Sequence, residues 1–205
     1  MIQVVGVAGK CCAGKDLVTD WLVDQGWREI NVDRIGHEAL VSEHTRIVAT
    51  FGRGIVGDSG TIDRRRLGAM VFSDPGQLAR LEAIVHPVMR ERVRMEIDAW
   101  RSRQAGAGAA ADPTRGLVIN AALLFHMRLD SLCDAVLLVR APLITRVRRA
   151  RQRDDIGWRQ IVRRLRSQRH LDTQARQSPA DTITVENGRS VDALHRQLAE
   201  LPQFR

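Results

Sequence analysis

Hydrophobic positions along the chain fall into two alternating patterns. Short runs rich in apolar and β-branched residues occupy positions 2–8, 27–32, 116–121, 135–139 and 182–185. Runs of this length bounded by turn residues predict strands, and continuous apolar ones predict strands buried on both faces. Between them the apolar residues recur every three or four positions, the spacing of an amphipathic helix. Leu17, Val18, Trp21 and Leu22 predict a helix over 16–25. Ile35, Leu40 and Val41 predict a second, and Leu67, Met70, Val71 and Phe72 a third that starts at Asp63. Asp74-Pro75-Gly76 predicts a break, followed by a long helix over about 77–101 with Leu78, Leu81, Ile84, Val85, Val88 and Met89 on its apolar side. Pro87 is expected to bend or divide that helix. Further helices are predicted over 143–153, 157–169 and 191–201, with a turn-rich stretch at 51–60 and an exposed Ala/Gly loop at 105–113. Strands alternating with helices specify an α/β fold with a parallel sheet covered on both faces. Ligands then belong at the carboxyl ends of the strands.

One strand end carries a recognisable device. Gly9-Lys10-Cys11-Cys12-Ala13-Gly14-Lys15-Asp16 reads as G-x-x-x-x-G-K, with Asp16 where a Ser or Thr is usual. The preceding strand and following helix supply the context of a phosphate-binding loop, and they weigh against a chance Gly-rich turn. Its glycines let backbone N–H groups wrap a polyphosphate, the helix N-terminus adds a favourable dipole, and Lys15 brings a compact positive charge to the β/γ-phosphates. Of 32 basic residues only two, Lys10 and Lys15, are lysines. A chain that otherwise uses Arg keeps Lys where a point charge suits better than a planar fork.

Composition narrows the partners. At 205 residues the chain fits one domain with a small appended lid, and 44% hydrophobic and 27% charged residues are ordinary for a soluble protein. No apolar run is long enough to span a bilayer and no targeting segment is visible, so no membrane partner and a cytoplasmic location are expected. The net charge of +8 suits acidic ligands, but 4% aromatic content and no Tyr leave few stacking platforms for nucleic acid. A pair of polyphosphate substrates accounts for the arginines equally well. Cys11, Cys12 and Cys133 are odd in number and lack zinc-site spacing.

Beyond the loop, Asn31-Val32-Asp33, Phe51-Gly52, Gly60-Thr61-Ile62-Asp63-Arg64, His86-Pro87, Leu123-Leu124, Arg149 with Arg153, Gln168 and Ala180-Asp181 follow in order. In this combination the chain resembles the dephospho-coenzyme A kinases over nearly its whole length. The resemblance implies a three-layer P-loop kinase fold with about five parallel strands. It implies a core (about 1–33, 116–145 and 180–205), a helical substrate region (about 34–104) and an Arg-rich helical lid (about 146–178). It also implies transfer of the ATP γ-phosphoryl group to the ribose 3′-hydroxyl of dephospho-CoA, with Mg²⁺. Residues 9–16 would hold ATP, Asp16 would be the protein's metal ligand, and Lys15, Arg149 and Arg153 would stabilise the transferred group. Asp33 would accept the hydroxyl proton, although a helix cap is the other role open to it. Arg64 and His86 would face the second substrate, against the readings of a solvated helix start and a structural His. Asp16, Asn31 and His126 depart from the family pattern, which keeps open another small-molecule kinase or a nucleotide-binding protein without transferase activity. A monomer is expected.

Overall fold

Five strands form one all-parallel sheet in the computed structural model of the chain, which describes residues 3–105, 114–153 and 170–202. They are β1 (Val4–Gly9), β2 (Trp27–Asn31), β3 (Gly116–Asn120), β4 (Ala135–Arg140) and β5 (Asp181–Glu186), in the order β2-β3-β1-β4-β5. The helices are α1 (Lys15–Asp24), α2 (Val32–Ser42), α3 (His44–Phe51), α4 (Arg64–Ser73), α5 (Pro75–Ala105), α6 (Leu143–Arg153), α7 (Leu171–Arg176) and α8 (Val191–Glu200). The predicted α/β class and strand set are therefore present. The expected helix over 157–169 and Gln168 lie outside the described residues, as does most of the loop at 105–113.

The chain divides into two units, one built up to Asn31 and from Ile97 onward, the other Val32–Glu96. The first holds the sheet. All six positions of β1 are buried, as a central parallel strand covered on both faces requires. Val5 and Val7 of β1, Val118 of β3 and Leu137 of β4 join Val18 and Leu22 of α1 and Leu194 and Leu198 of α8 in one apolar cluster. These helices thereby fix the loop that joins β1 to α1. The start of β1 is pinned separately, since Gln3 and Val4 both donate backbone N–H to the Asp134 carboxylate at 2.8 Å.

The second unit is helical, with one isolated antiparallel bridge, Val56 to Ile62. That bridge sits in the stretch predicted only as turns, and α3 covers a segment to which the periodicity assigns nothing. At α4 the Asp63 carboxylate accepts from the N–H of Arg65 (2.9 Å) and Arg66 (3.1 Å), a regular N-cap. Two expectations about α5 need correction. Asp74 receives N–H bonds from Gly76 and Gln77, so Pro75 opens the helix rather than preceding it; its fixed φ and missing N–H suit the first helical position. Pro87 does not divide α5, which runs unbroken to Ala105. The Pro87 ring is exposed, while Ile84, Val85, Met89 and Val93 on either side are buried, so packing carries the helix past one missing hydrogen bond. No helix of the described residues is long and apolar enough to cross a membrane.

Candidate active site

In strand order β2-β3-β1-β4-β5 the chain leaves β1 toward one sheet edge and leaves β4 toward the other. A crevice opens at the carboxyl ends of strands where connections diverge in this way. The phosphate-loop residues occupy that position. Gly9 ends β1 where a Cβ would stand 2.8 Å from the Val139 carbonyl oxygen of β4, so the close approach of loop and strand needs glycine. A turn closes with Ala13 N–H donating to Lys10 C=O at 2.9 Å. Cys12 (φ 58°) and Gly14 (φ 94°) are both left-handed, and this reverses the chain into α1. Gly14 is the α1 cap residue and no side chain caps the helix, so the first-turn N–H groups and the positive end of the helix dipole are disposed for an anion. Lys15, half-buried at the first helical position, makes no hydrogen bond or ion pair among the described residues.

Asn187, Arg149 and Arg146 hold the loop backbone from outside. Asn187, buried just past β5, donates its amide to the Ala13 carbonyl at 2.8 Å. Arg149 donates to the same carbonyl at 3.4 Å and to Asn187 Oδ1 at 3.2 Å. Arg146 is 7% exposed and donates Nε–H to the Cys11 carbonyl at 3.0 Å. Arg146 and Arg149 are one turn apart on α6, whereas Arg148 and Arg151 are exposed, as the helical spacing predicts. Arg153 ends α6, and its side chain lies outside the described residues. Burial pulls the Arg146 pKa down, partly offset by charge on Cys11, Cys12 and Asp172.

Beside the loop lies a cleft of about 500 Å³ lined by Lys10, Val139, Arg140, Ala141, Pro142, Arg146, Leu171, Asp172, Arg176 and Glu186. Asp172 of α7 bridges its walls, accepting from Lys10 Nζ at 2.6 Å and from Arg140 Nη2 at 3.0 Å. The hydrogen bond from Lys10, then the charges of Lys10 and Arg140, hold the Asp172 carboxyl below its ordinary range against a smaller cost of burial. The ammonium of Lys10 is thus committed to Asp172, and its part in the loop is the backbone turn. Sequence reasoning assigned no side-chain role to Asp172 or Asn187. The available signal for Asn187 was its position two strands from the loop at a carboxyl strand end.

The other predicted residues belong to the helical unit. Asp33 is the second residue of α2, exposed, and without a hydrogen bond or ion pair among the described residues. It stands one residue inside the helix rather than at the cap. Arg64 Nη1 donates to His37 Nε2 at 2.8 Å. His86 is partly buried within α5. Asp16 follows Lys15 in the first turn of α1 with its side chain exposed.

A phosphate loop with an unengaged lysine at the end of a central parallel strand, braced by arginines from a later helix, defines a kinase of the P-loop α/β class. Comparison with known proteins narrows the class. The dephospho-CoA kinase family model matches residues 3–192. A dephospho-CoA kinase from Latilactobacillus sakei is 30% identical over 201 residues, covering 97% of this chain and 93% of its own. The crystal structure of a Thermus thermophilus protein superposes with a TM-score of 0.74 at 30% identity over 97% of both chains. A dephospho-CoA kinase from Campylobacter jejuni shares the fold with a TM-score of 0.68 at 20% identity, covering 98% of this chain and 95% of its own. The chain belongs to the dephospho-CoA kinase family.

Proposed function

We propose that the chain transfers the γ-phosphoryl group of ATP to the ribose 3′-hydroxyl of dephospho-CoA, giving coenzyme A. The observation that carries this reading is the phosphate loop, uncapped at α1 and with Lys15 uncommitted, in a chain that matches the dephospho-CoA kinase family from residue 3 to residue 192. Phosphoryl transfer asks a protein for positioning and charge neutralisation more than for covalent chemistry. The N–H groups of residues 9–16 bind the β- and γ-phosphates, and Lys15 neutralises charge on the oxygens between them. Arg149 makes one long hydrogen bond to the loop carbonyl of Ala13 and one to Asn187, which leaves its guanidinium donors to turn toward a phosphoryl oxygen. Arg153, one turn further on α6, is assigned the same work.

Asp33 accepts the proton of the attacking hydroxyl. Its carboxylate is exposed and unengaged, two residues past the end of β2, where the carboxyl-end rule places reactive groups. Arg64 and His86 are assigned to the second substrate, with 34–104 as the substrate region and 146–178 as the lid. Asp16 fits a magnesium ion: it is an exposed hard oxygen donor in the first turn after the loop, and Mg²⁺ is commonly held by one or two carboxylates together with substrate phosphates. When bound at Asp16, the ion would supply positive charge to neutralise the transferring phosphoryl group.

A coupled ATP assay with dephospho-CoA and a panel of nucleosides tests the reading. Turnover of dephospho-CoA is expected, falling by about a hundredfold or more in Lys15→Ala and in Asp33→Asn. Turnover of a nucleoside alone would replace the substrate assignment. Robust turnover in Asp33→Asn would remove Asp33 from the proton-accepting role. ATP binding without transfer to any acceptor would establish a binding protein.

A further inference from the structure

The phosphate loop carries two adjacent thiols that phosphate binding does not use. In an extended chain neighbouring side chains point to opposite faces, yet here the left-handed Cys12 (φ 58°) brings the Cys11 and Cys12 sulfurs to 3.7 Å. Both residues are partly exposed, and neither is in a disulfide. A second feature faces the same loop. Arg146 is 7% exposed and anchored to the Cys11 carbonyl through Nε, while its Nη2 is buried with no acceptor among the described residues. The buried guanidinium therefore keeps a donor to spare beside the loop. The thiolate is the reactive form of cysteine.

We propose that Cys11 and Cys12 are a modification site: a dithiol that peroxides oxidise to a disulfide within the loop, with reversible loss of nucleotide binding. One thiolate attacks a peroxide oxygen, breaking the O–O bond; it becomes a sulfenic acid, and water or an alcohol leaves. The second thiol attacks that sulfur and expels the hydroxyl as water, forming the S–S bond. The peroxide takes up two electrons, and the protein loses two hydrogens.

The geometry makes this step both accessible and reversible. Consecutive Cα atoms stand ~3.8 Å apart across a trans peptide, below the ~4.4–6.8 Å usual for a disulfide. The ring is therefore strained, and strained disulfides are the ones thiols reduce readily. Closing the sulfurs to ~2.05 Å requires the Cys11–Cys12 peptide to turn, which moves loop N–H groups that the proposed function assigns to phosphate. Cys133 provides an internal contrast. Burial, then Asp130 and Asp134, push its thiol pKa well above the ordinary value, and its Sγ donates to the Leu129 carbonyl at 3.4 Å. Both features favour the protonated, less reactive thiol.

The inference rests on the phosphate-loop reading, and the test separates the two. ATP affinity of the reduced full-length chain is measured by calorimetry, again after hydrogen peroxide, and again after dithiothreitol, with the intact mass recorded at each stage. The expected result is a product lacking two hydrogens, mapped to Cys11 and Cys12, that binds ATP about tenfold or more weakly and recovers on reduction. Cys133→Ser should respond like the wild type, and Cys12→Ser should give no product of that mass. An oxidised loop that keeps its ATP affinity would overturn the proposal, as would a mass change confined to oxygen addition or a loss that reductant does not reverse. Failure of the reduced chain to bind ATP would instead overturn the loop reading, while the mass readout still decides whether the disulfide forms.

Discussion

Gly14 bears two demands at once. Its φ of 94° lies where a side chain is strained, and a Cβ would run into the Asn187 amide. Gly14→Ala is therefore expected to cost about 1–3 kcal/mol of stability and to weaken ATP binding, both measurable by denaturation and calorimetry. Asn187→Ala tests the other partner of that contact. It removes the 2.8 Å bond to the Ala13 carbonyl and leaves that oxygen with Arg149 at 3.4 Å. A loss of about 1–3 kcal/mol in urea denaturation is expected; an unchanged midpoint would show that Asn187 is dispensable to the loop. The sequence revealed Gly14 and Lys15 because their role depends on spacing along the chain. It did not reveal how Asn187 is used, because an Asn-Gly pair after a strand reads equally as a turn, and the long-range bond exists only once β5 lies beside β4. Arg146 was obscured differently. Among 32 basic residues nothing local marks the one whose guanidinium is 7% exposed.

At the scale of elements, α7 is tied to the loop by the bridge of Asp172 to Lys10 and Arg140. The Asp172 carboxyl titrates below its ordinary range, mainly through Lys10. A folded-state pKa below the unfolded one stabilises the fold above the ordinary carboxylate pKa, and the contribution disappears as pH falls through the folded value. The difference in unfolding free energy between the wild type and Asp172→Asn should thus be constant from neutral pH to about pH 4 and shrink below it. The side chains are about one-third exposed (31% and 36%), so the plateau should be no more than about 1 kcal/mol. A difference that grew on acidification would contradict this bridge. Helix periodicity located α1, α4 and α8 because each buries an apolar stripe, whereas α6 buries Arg146 and Ala150 and leaves Leu143 and Ile144 exposed. Periodicity gave no account of α7, six residues long, whose place depends on Asp172 rather than on a stripe. The unbroken α5 was misjudged because Pro87 signals a break locally, whereas buried residues on both sides of it decide the outcome.

At the scale of the whole molecule, the sheet core and the phosphate loop are one mechanical unit. Val18 and Leu22, on the helix that begins at Lys15, are fully buried against β1, β3 and β4. Leu22→Ala should cost about 2–5 kcal/mol, read from the denaturation midpoint. ATP with magnesium should shift stability in the opposite direction, by about 2.7 kcal/mol at a hundred times its Kd. The shift should be largely lost in Lys15→Ala. The fold was legible because alternating strands and helices leave few topologies once parallel pairing is required. The second substrate was legible only through resemblance, because the roles proposed for Asp33, Arg64 and His86 are not encoded in hydropathy. The central claim is tested most directly by the product formed from ATP and dephospho-CoA, identified by intact mass and phosphorus NMR. The prediction is coenzyme A with the new phosphate on the ribose 3′-oxygen, formed in step with ADP. Unchanged dephospho-CoA, or a phosphate on any other oxygen, would contradict it.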